Sequence, residues 1–153
     1  MNNICINSSS SKDIQEWLNE INTQFMPPLE NFVEFHMYAN KIFNNARRFE
    51  LYKNGMLTGL LAAYINKERK MAFVTIFGIA KEDRTISNIR QLFISFLIDF
   101  LTDPSMEYVE LEVHHLNKPL LRFYNKLNFK IKETREHSYI FEASRSQCIF
   151  LSS

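Results

Sequence analysis

Asn117–Phe129 reads NKPLLRFYNKLNF and predicts a short helix with a defined beginning and end. Asn117 can cap this helix by accepting a hydrogen bond from a free main-chain N–H. Pro119 lies in the first turn, where the N–H that it lacks is not needed. Asn128 tolerates the left-handed conformation that ends many helices. The largely apolar face recurs at helical spacing and consists of Leu120, Phe123, Tyr124 and Leu127.

Tyr124 is the residue of this helix that indicates chemistry. It places a phenol among core positions, and a buried Tyr hydroxyl usually needs a partner. Asn117 and Tyr124 both fall near the C-terminal end of the preceding predicted strand, where α/β sheets tend to bind ligands. The pattern alone favours an ordinary Asn-capped helix between two strands, in which the Tyr124 oxygen would bond a neighbouring main-chain group.

Four short motifs extend the pattern to both sides of this helix: Leu111-Glu112-Val113, Asn117, Phe123-Tyr124 and Asn128-Phe129. Together they resemble the fifth strand and fourth helix of the GNAT superfamily of acyl-CoA-dependent N-acyltransferases, most of all its bacterial members. Leu120 and Asn128 stand where those members usually have Ala and Gly. Both replacements suit a helix interior and a helix end.

The composition is that of a globular chain. Its 153 residues are 46% hydrophobic and 23% charged, which is enough for one domain with a sizeable core. We therefore expect residues 1–153 to form a single acyl-CoA N-acyltransferase-like domain, with residues 143–153 as a tail. The formal net charge of +1 provides no general attraction to nucleic acid or to an anionic membrane.

Targeting and metal-binding patterns are not found in the sequence. The two cysteines are far apart, and no close Cys and His pair suggests a metal. The N-terminus lacks a signal-peptide pattern, and no apolar run is long enough to span a membrane. The expectation is a cytoplasmic protein without a metal.

The first half of the chain predicts a strand, two helices and a meander. Asn3–Asn7 predicts a short strand, and Ser10 with Asp13 fits a capping box at the start of the first helix. A second helix is expected over Glu30–Asn44. Its inward face is expected to be Phe32, Phe35, His36, Ala39, Ile42 and Phe43. The strands that follow are expected at Arg48–Lys53, Met56–Ile65 and Met71–Ala80.

The second half predicts alternating helices and strands. Ser87–Thr102 is apolar nearly all round and predicts a mostly buried helix. Glu107–Val113 alternates as a strand does. After the next helix, Phe129–Arg135 and His137–Glu142 predict a hairpin. Cys148–Leu151 is the apolar part of the tail, and it could add to a sheet edge or contact another subunit of a homodimer.

This order of elements resembles that of the GNAT fold. The resemblance implies an α/β (α+β) domain with a mixed, mainly antiparallel central sheet flanked by helices. Met71–Ala80 and Glu107–Val113 would then be parallel neighbours that diverge at their C-terminal ends. Gly59 and Gly78 match glycines that are common in the third and fourth strands of the family.

An acyl-CoA enzyme must hold a pyrophosphate, and main-chain N–H groups at a helix N-terminus do this well. The resemblance assigns this role to Arg84-Thr85-Ile86-Ser87-Asn88-Ile89. The Arg of the family pattern is present, but Ser87 and Ile89 replace its two glycines. Ile89 would crowd the phosphate unless its side chain points into the core. An altered cofactor site and an ordinary charged loop before a helix both remain open.

Acetyl transfer to an amine requires a base, an oxyanion donor and an acid for the departing thiolate. The resemblance implies Glu112 as the general base, with His114 on the same strand face as the alternative. Glu112 also fits an ordinary solvated strand residue. The resemblance implies Tyr124 as the general acid, and a phenol is protonated at neutral pH.

The resemblance also implies how acetyl-CoA would be held. Its pantetheine arm would pair with the main chain near Ile79 and Ala80, and an N–H near Ile79 would be the oxyanion donor. Asn117 would contact the same arm, although a helix cap would place it there in any case.

The expected function is N-acetyltransfer from acetyl-CoA to a primary amine. Tyr38–Tyr64 resembles GNAT proteins found among bacterial sugar-modification genes, which makes an amino sugar the first choice of acceptor. A protein N-terminus and other small amines are the alternatives. The glycine-free loop supports a competing hypothesis, in which the chain is a catalytically silent GNAT-like module that binds a partner.

Overall fold

Seven strands form a single sheet in the part of the chain that the computed structural model describes, residues 4–153. They are β1 (Ile4–Ile6), β2 (Arg47–Lys53), β3 (Met56–Asn66), β4 (Met71–Ile79), β5 (Tyr108–His114), β6 (Lys130–Thr134) and β7 (Ser138–Ser144). Their order is β1-β2-β3-β4-β5-β7-β6, and only β4 and β5 are parallel neighbours. The predicted mixed, mainly antiparallel sheet is confirmed. Asn3, at the start of the first predicted strand, lies outside the described residues.

Helices cover both faces of this sheet. They are α1 (Ser11–Ile21), α2 (Phe35–Asn45), α3 (Ile86–Leu101), α4 (Lys118–Lys126) and α5 (Arg145–Ser152). One hydrophobic core joins α1 and α2 to β3 and β4, and the other joins α3, α4 and α5 to the sheet. Within residues 4–153, no helix has the length and apolar character needed to cross a membrane.

The first helix begins as the sequence predicts. Asp13 N–H donates to Ser10 Oγ at 3.1 Å, and Ser10 N–H donates to the Asp13 carboxylate at 3.0 Å. The buried face of α1 consists of Ile14, Trp17, Leu18 and Ile21. Trp17 also fixes the helix to the sheet, because its indole N–H donates to the carbonyl of Thr58 at 3.0 Å.

The second helix begins later than predicted, at Phe35 instead of Glu30. Two consecutive prolines precede a 3₁₀ turn at Leu29–Asn31, and this segment cannot continue a helix. Glu34 then caps α2, since its carboxylate accepts the N–H of His36 at 3.1 Å and of Met37 at 2.7 Å. These two bonds lower the pKa of Glu34.

The predicted inward face of the second helix is partly wrong. Ala39 and Ile42 are buried, but Phe32, His36 and Phe43 are exposed. Phe32 precedes the helix, so helical spacing does not govern its direction. His36 contacts Gln15 of α1, and the Phe43 ring lies beneath the Arg48 guanidinium, so both belong to the polar periphery of the core.

β4 and β5 pair only over their first halves. The last pair is Val74 with Leu111, and β4 continues to Ile79 and β5 to His114 without further pairing between them. The prediction that these parallel strands diverge at their C-terminal ends is confirmed. The space between the divergent ends is called the β4–β5 gap below.

Helix α3 is buried along one side only. Leu92, Phe96 and Leu97 are almost fully buried, whereas Ile86 is 85% exposed and Ile98 is 53% exposed. The expectation of a mostly buried helix is therefore too strong. Gly59 allows the buried side to approach β3 closely, because a Cβ at that position would lie 3.0 Å from the Leu92 side chain.

The tail forms α5 and does not add to a sheet edge, so that part of the prediction is wrong. The Arg145 guanidinium donates to the carbonyls of Leu101, Asp103 and Met106 at 2.8–3.0 Å, which satisfies free carbonyls after α3. Cys148 is fully buried in the core, and burial raises the pKa of its thiol to about 12. Half of α5 is the apolar run Cys148–Leu151, and a short continuous apolar run fits a strand as well as a helix.

Candidate active site

The free edge of β4 faces the β4–β5 gap. Ala80 N–H donates to the carbonyl of Thr58 at 2.7 Å, which fixes the alternation of bonds between β3 and β4. In an antiparallel ladder, the residues between bonded pairs turn their N–H and C=O away from the partner strand. The main-chain groups of Ile79 and Phe77 are therefore directed away from β3, toward the gap. β5 does not pair with them.

A β-bulge lies where the gap begins. Ala62 of β3 pairs with Ile76 and Ala63 pairs with Val74, so Thr75 is the extra residue on β4. Bulges are frequent beside active sites, where they redirect a strand. The Tyr38 hydroxyl bonds the Thr75 carbonyl at 3.0 Å and its Oγ1 at 2.7 Å. Sequence reasoning missed this pair, because no periodicity reveals a bulge.

A cavity of about 1090 Å³ opens on the same side of the molecule. Its walls are the segment between α1 and α2, the start of α2, the facing parts of β4 and β5, the start of α4, and the turn between β6 and β7. Glu112 and Asn117, two of the residues singled out in the sequence, line it, and so does His114. Tyr124 and residues 84–89 do not.

Glu112 points into this cavity on the exposed side of β5. Its carboxylate accepts a hydrogen bond from Ser138 Oγ at 2.5 Å and pairs with the Arg135 guanidinium at 3.3 Å. The side chain is 41% exposed, so it can reach both solvent and a ligand in the cavity. This position of Glu112 would allow it to act as a base, and it is equally that of a solvated residue in an ion pair.

His114 is less suited to accept a proton. Its Nδ1 accepts the N–H of Leu116 at 3.1 Å, so the neutral ring must carry its own proton on Nε2. The ring stacks with His137, with centroids 6.2 Å apart and planes 2° apart, and contacts Phe32 at 5.8 Å. The lone pair that a base would use is already engaged.

Tyr124 lies on the buried face of α4, and 2% of its surface is exposed. Phe123, Phe129 and Phe141 surround its ring, with centroids 5.0, 5.2 and 6.1 Å away. Burial raises the pKa of its phenol. Among residues 4–153, nothing forms a hydrogen bond with this hydroxyl, so the alternative of a bond to a neighbouring main-chain group is wrong.

Asn117 caps α4 as predicted. Its Oδ1 accepts the N–H of Leu120 at 3.4 Å, and Pro119 lies in the first turn. Asn128 ends the segment with a φ of 61°, in the left-handed region. The cap uses only the oxygen of Asn117, so its amide NH₂ remains available at the cavity wall.

The loop assigned to the pyrophosphate is anchored to strands β2 and β3 through Asp83, the residue that precedes it. The Asp83 carboxylate accepts from Thr58 Oγ1 at 2.6 Å and from Lys53 Nζ at 2.9 Å, and both bonds lower its pKa. Thr85 then caps α3 by accepting the N–H of Asn88 at 3.1 Å. The loop therefore has a fixed shape without glycine.

Individual residues of this loop point in different directions. Ile89 is half-buried and packs against the core, so its side chain does not project toward the helix N-terminus. Ile86 and Ser87 are exposed in the first turn. Arg84 is exposed as well, and its guanidinium donates to Gln24 Oε1 at 3.1 Å. Among residues 4–153, no three His, Cys, Asp or Glu side chains form a group that could hold a metal ion.

Comparison with known proteins finds similarity in structure and not in sequence. No protein-family model and no curated protein sequence matches the chain. Among solved structures, the PaiA N-acetyltransferase of Thermoplasma acidophilum, in complex with coenzyme A, aligns with a TM-score of 0.71 at 15% identity. That alignment covers 93% of this chain and 99% of the other.

Two further solved structures align over nearly the whole chain. The ribosomal-protein-S18-alanine N-acetyltransferase of Escherichia coli has a TM-score of 0.71 at 15% identity, and the alignment covers 94% of both chains. Mutant forms of the spermidine/spermine N-acetyltransferase SpeG of Vibrio cholerae have a TM-score of 0.67 at 18% identity, covering 99% of this chain and 100% of that one.

The chain has the GNAT fold. The resemblance that was found from Asn117–Phe129 and the neighbouring motifs is confirmed at the level of the fold. Three features of this GNAT fold bear on function: the divergent ends of β4 and β5, the bulge in β4, and helix α3, which follows β4.

Proposed function

We propose that this protein is an N-acetyltransferase that moves an acetyl group from acetyl-CoA to a primary amine. The observation that carries the proposal is the β4–β5 gap, where the main-chain groups of Phe77 and Ile79 lack a partner strand. An extended chain with amide groups can pair with such an edge as an added strand would. The pantetheine arm of acetyl-CoA is a ligand of that kind.

The start of α3 fits the pyrophosphate of the same ligand. The N–H groups of Ile86 and Ser87 have no hydrogen-bond acceptor among residues 4–153, and the first turn contains no acidic residue. Helix N-termini with free N–H groups favour anions. Arg84 adds a positive charge just before the helix. Because Ile89 packs into the core, the steric objection raised by the lost glycine is removed.

Bound acetyl-CoA supplies an activated acetyl group, and the chain supplies proton transfers and orientation. We assign Glu112 as the base that accepts a proton from the amine, directly or through one water molecule. Ile79 N–H, directed into the gap, is assigned as the oxyanion donor. Tyr124 is assigned as the acid on the resemblance and because its hydroxyl forms no hydrogen bond among residues 4–153. Asn117 would orient the cofactor arm through its free amide group.

Similar solved structures support acetyl transfer to amines without fixing the acceptor. Their names include a ribosomal-protein-S18-alanine N-acetyltransferase and a spermidine/spermine N-acetyltransferase. The amino-sugar acceptor suggested by the sequence resemblance stays a prediction. The cytoplasmic location and the homodimer stay predictions as well.

The competing hypothesis is a catalytically silent module, and titration with acetyl-CoA separates the two. The proposal expects saturable binding in the micromolar range by calorimetry, together with amine-dependent release of the free thiol of CoA. No binding at millimolar acetyl-CoA would favour the silent module.

A matched pair of variants tests the location of the phosphate site. Ile86→Glu places a carboxylate in the exposed first turn of α3 and should weaken acetyl-CoA binding at least about tenfold by repulsion of the phosphate. Ile98→Glu makes the same change in the same helix at a position 53% exposed and should not affect binding. Equal effects of both variants would contradict this site.

A further inference from the structure

We infer that the acceptor is a primary amine on an apolar body, preferably an arylalkylamine, and not an amino sugar or a polyamine. The inference rests on the proposed acetyltransferase function, and it concerns the cavity next to the β4–β5 gap. The cavity wall that faces Glu112 determines which amine can reach the base.

Apolar side chains dominate the part of the cavity formed by the segment between α1 and α2 and by the start of α2. This part is lined by Phe25, Met26, Leu29, Phe32, Val33 and Met37. Pockets for apolar ligands have such walls, with a few polar groups that fix the orientation of the ligand. Phe73 and Val74 continue the apolar surface onto β4.

Several of these side chains remain open to solvent. Met26 is 62% exposed, Phe32 is 57% exposed and Met37 is 70% exposed. A contiguous group of exposed apolar side chains at the mouth of a cavity indicates a binding site, whereas single exposed apolar residues are common on any protein surface. A ligand with an apolar body would remove this surface from water and gain free energy from its burial.

Many polar side chains of the cavity are already engaged in hydrogen bonds within the protein. Ser138 Oγ donates to the Glu112 carboxylate, and the Tyr38 hydroxyl bonds Thr75. The Glu34 carboxylate accepts two main-chain N–H groups at the start of α2. A sugar places several hydroxyls in its site, and each loses free energy when it leaves water without a partner. The amide NH₂ of Asn117 and the ammonium of Lys41 form no hydrogen bond among residues 4–153, and two donors are too few to replace the water around a sugar.

The charges of the cavity suit a single ammonium group. Its acidic residues are Glu34, Glu112 and Glu136, and its basic residues are Lys41 and Arg135. Glu34 is engaged as a helix cap, and Glu136 contacts His137 at 3.5 Å at the surface. A polyamine has two or more cationic groups, each of which needs a carboxylate or water. Only Glu112 is placed to face an amine at the start of the gap.

A panel of acceptors tests the inference with acetyl-CoA as donor. The amines are phenethylamine, tryptamine, glucosamine, spermidine and a tetrapeptide with an N-terminal Met. We expect kcat/KM for the two arylalkylamines to exceed that for glucosamine and spermidine by at least about tenfold, the scale of discrimination in an apolar pocket. A preference for glucosamine, for spermidine or for the peptide would overturn the inference.

Paired variants show whether the apolar wall causes this preference. Met37→Gln should lower kcat/KM for phenethylamine about tenfold. Met56→Gln is its control, since Met56 is 68% exposed, close to the 70% of Met37, and lies outside the cavity. Phe32→Ala and Phe150→Ala form a second pair. All four positions are exposed, so folding should be kept, and thermal unfolding verifies it. Equal effects within each pair would overturn the inference.

Failure of the inference and failure of the proposed function give different results. If the chain binds acetyl-CoA and acetylates polar amines best, only the acceptor class is wrong. If it neither binds acetyl-CoA nor acetylates any amine of the panel, the proposed function itself is wrong.

Discussion

The Tyr38 hydroxyl of α2 holds Thr75, the bulge residue of β4, through both its carbonyl oxygen at 3.0 Å and its Oγ1 at 2.7 Å. This contact joins α2 to the strand at the point where β4 parts from β5. Burial raises the pKa of Tyr38, so the phenol stays protonated and can donate throughout the neutral range. The bulge is thus fixed by a group that does not titrate near pH 7.

Tyr38→Phe removes this contact without creating a large cavity. We expect the free energy of unfolding in urea to fall by about 1 kcal/mol, the usual net value of a hydrogen bond. Turnover should fall too, because the bulge lies at the start of the β4–β5 gap, on the strand that carries the proposed oxyanion donor Ile79. Tyr108→Phe is the control, since Tyr108 is an exposed tyrosine whose hydroxyl forms no hydrogen bond in the described chain. Unchanged stability in Tyr38→Phe would mean that other contacts fix the bulge.

Local signals in the sequence were sufficient for most of the fold. The capping box of Ser10 and Asp13 locates α1, and Asn54-Gly55 locates the β2–β3 turn, where both residues have positive φ. Asn117 and Asn128 define both ends of the decisive helix segment. Each signal involves residues close in sequence, so the interactions that form the cap or turn can be recognised from a few consecutive residues.

The features that were missed depend on residues far apart in the chain. The contact of Tyr38 with Thr75 spans 37 positions, and the bulge exists only relative to β3. Helix α5 is held by Arg145, whose carbonyl partners lie about 40 positions earlier. Phe32 was expected to be buried because helical spacing was extended into a segment that is not helical. Periodicity cannot report such long-range partners.

Asp83, which anchors the proposed phosphate loop, should make the stability of the protein sensitive to acid. The bonds from Thr58 and Lys53 lower its pKa in the folded state below the unfolded value of about 3.9. A lowered folded pKa adds stability that is present above the unfolded pKa and is lost as the pH falls through the folded pKa. The stability difference between the wild type and Asp83→Asn should therefore be constant from pH 7 to about pH 5 and shrink below about pH 4.

Urea unfolding of both proteins at pH 7, 5 and 3 measures this difference. Glu82→Gln is the control, because Glu82 is an exposed neighbour without an ion pair in the described chain. A stability difference that is the same at all three pH values would show that the Asp83 charge does not contribute through these bonds.

Glu112 and His114 can be separated as candidate bases. Glu112→Gln should lower kcat by roughly 10²-fold or more, the scale for general acid–base groups. His114→Gln should have a small effect, because the lone pair on Nδ1 is already used by Leu116 N–H. Glu133→Gln is a control for the ion pair, since Glu133 pairs with the same Arg135 at 3.4 Å but lies outside the cavity. The reverse order of effects would assign the base to His114.

Tyr124→Phe should separate catalysis from stability. The hydroxyl makes no hydrogen bond among residues 4–153, so the free energy of unfolding should stay the same. If Tyr124 is the acid, turnover should fall by roughly 10²-fold, with acetyl-CoA binding kept. Tyr139→Phe, another core-facing tyrosine, should leave turnover unchanged. Near-normal turnover in a folded Tyr124→Phe protein would exclude the acid role.

Ile89 stands where the family pattern has its last glycine, and its replacement tests how a loop without glycine can bind a phosphate. Its side chain packs against the core that joins α3, α4 and α5 to the sheet. Ile89→Ala should therefore lower the free energy of unfolding by about 1–2 kcal/mol, less than a fully buried Ile would, because the site is half-buried. The Kd for acetyl-CoA should not change.

A different result is expected if the Ile89 side chain lies over the phosphate site. If Ile89 crowded the phosphate, its removal would tighten acetyl-CoA binding, and calorimetry would detect a lower Kd for Ile89→Ala. Ile98→Ala, at an exposed position of the same helix, controls for the change in helix propensity. Loss of stability with an unchanged Kd would show that Ile89 belongs to the core and that the first turn of α3 admits a phosphate without the family's glycine. Tighter binding without loss of stability would place Ile89 over the phosphate site instead.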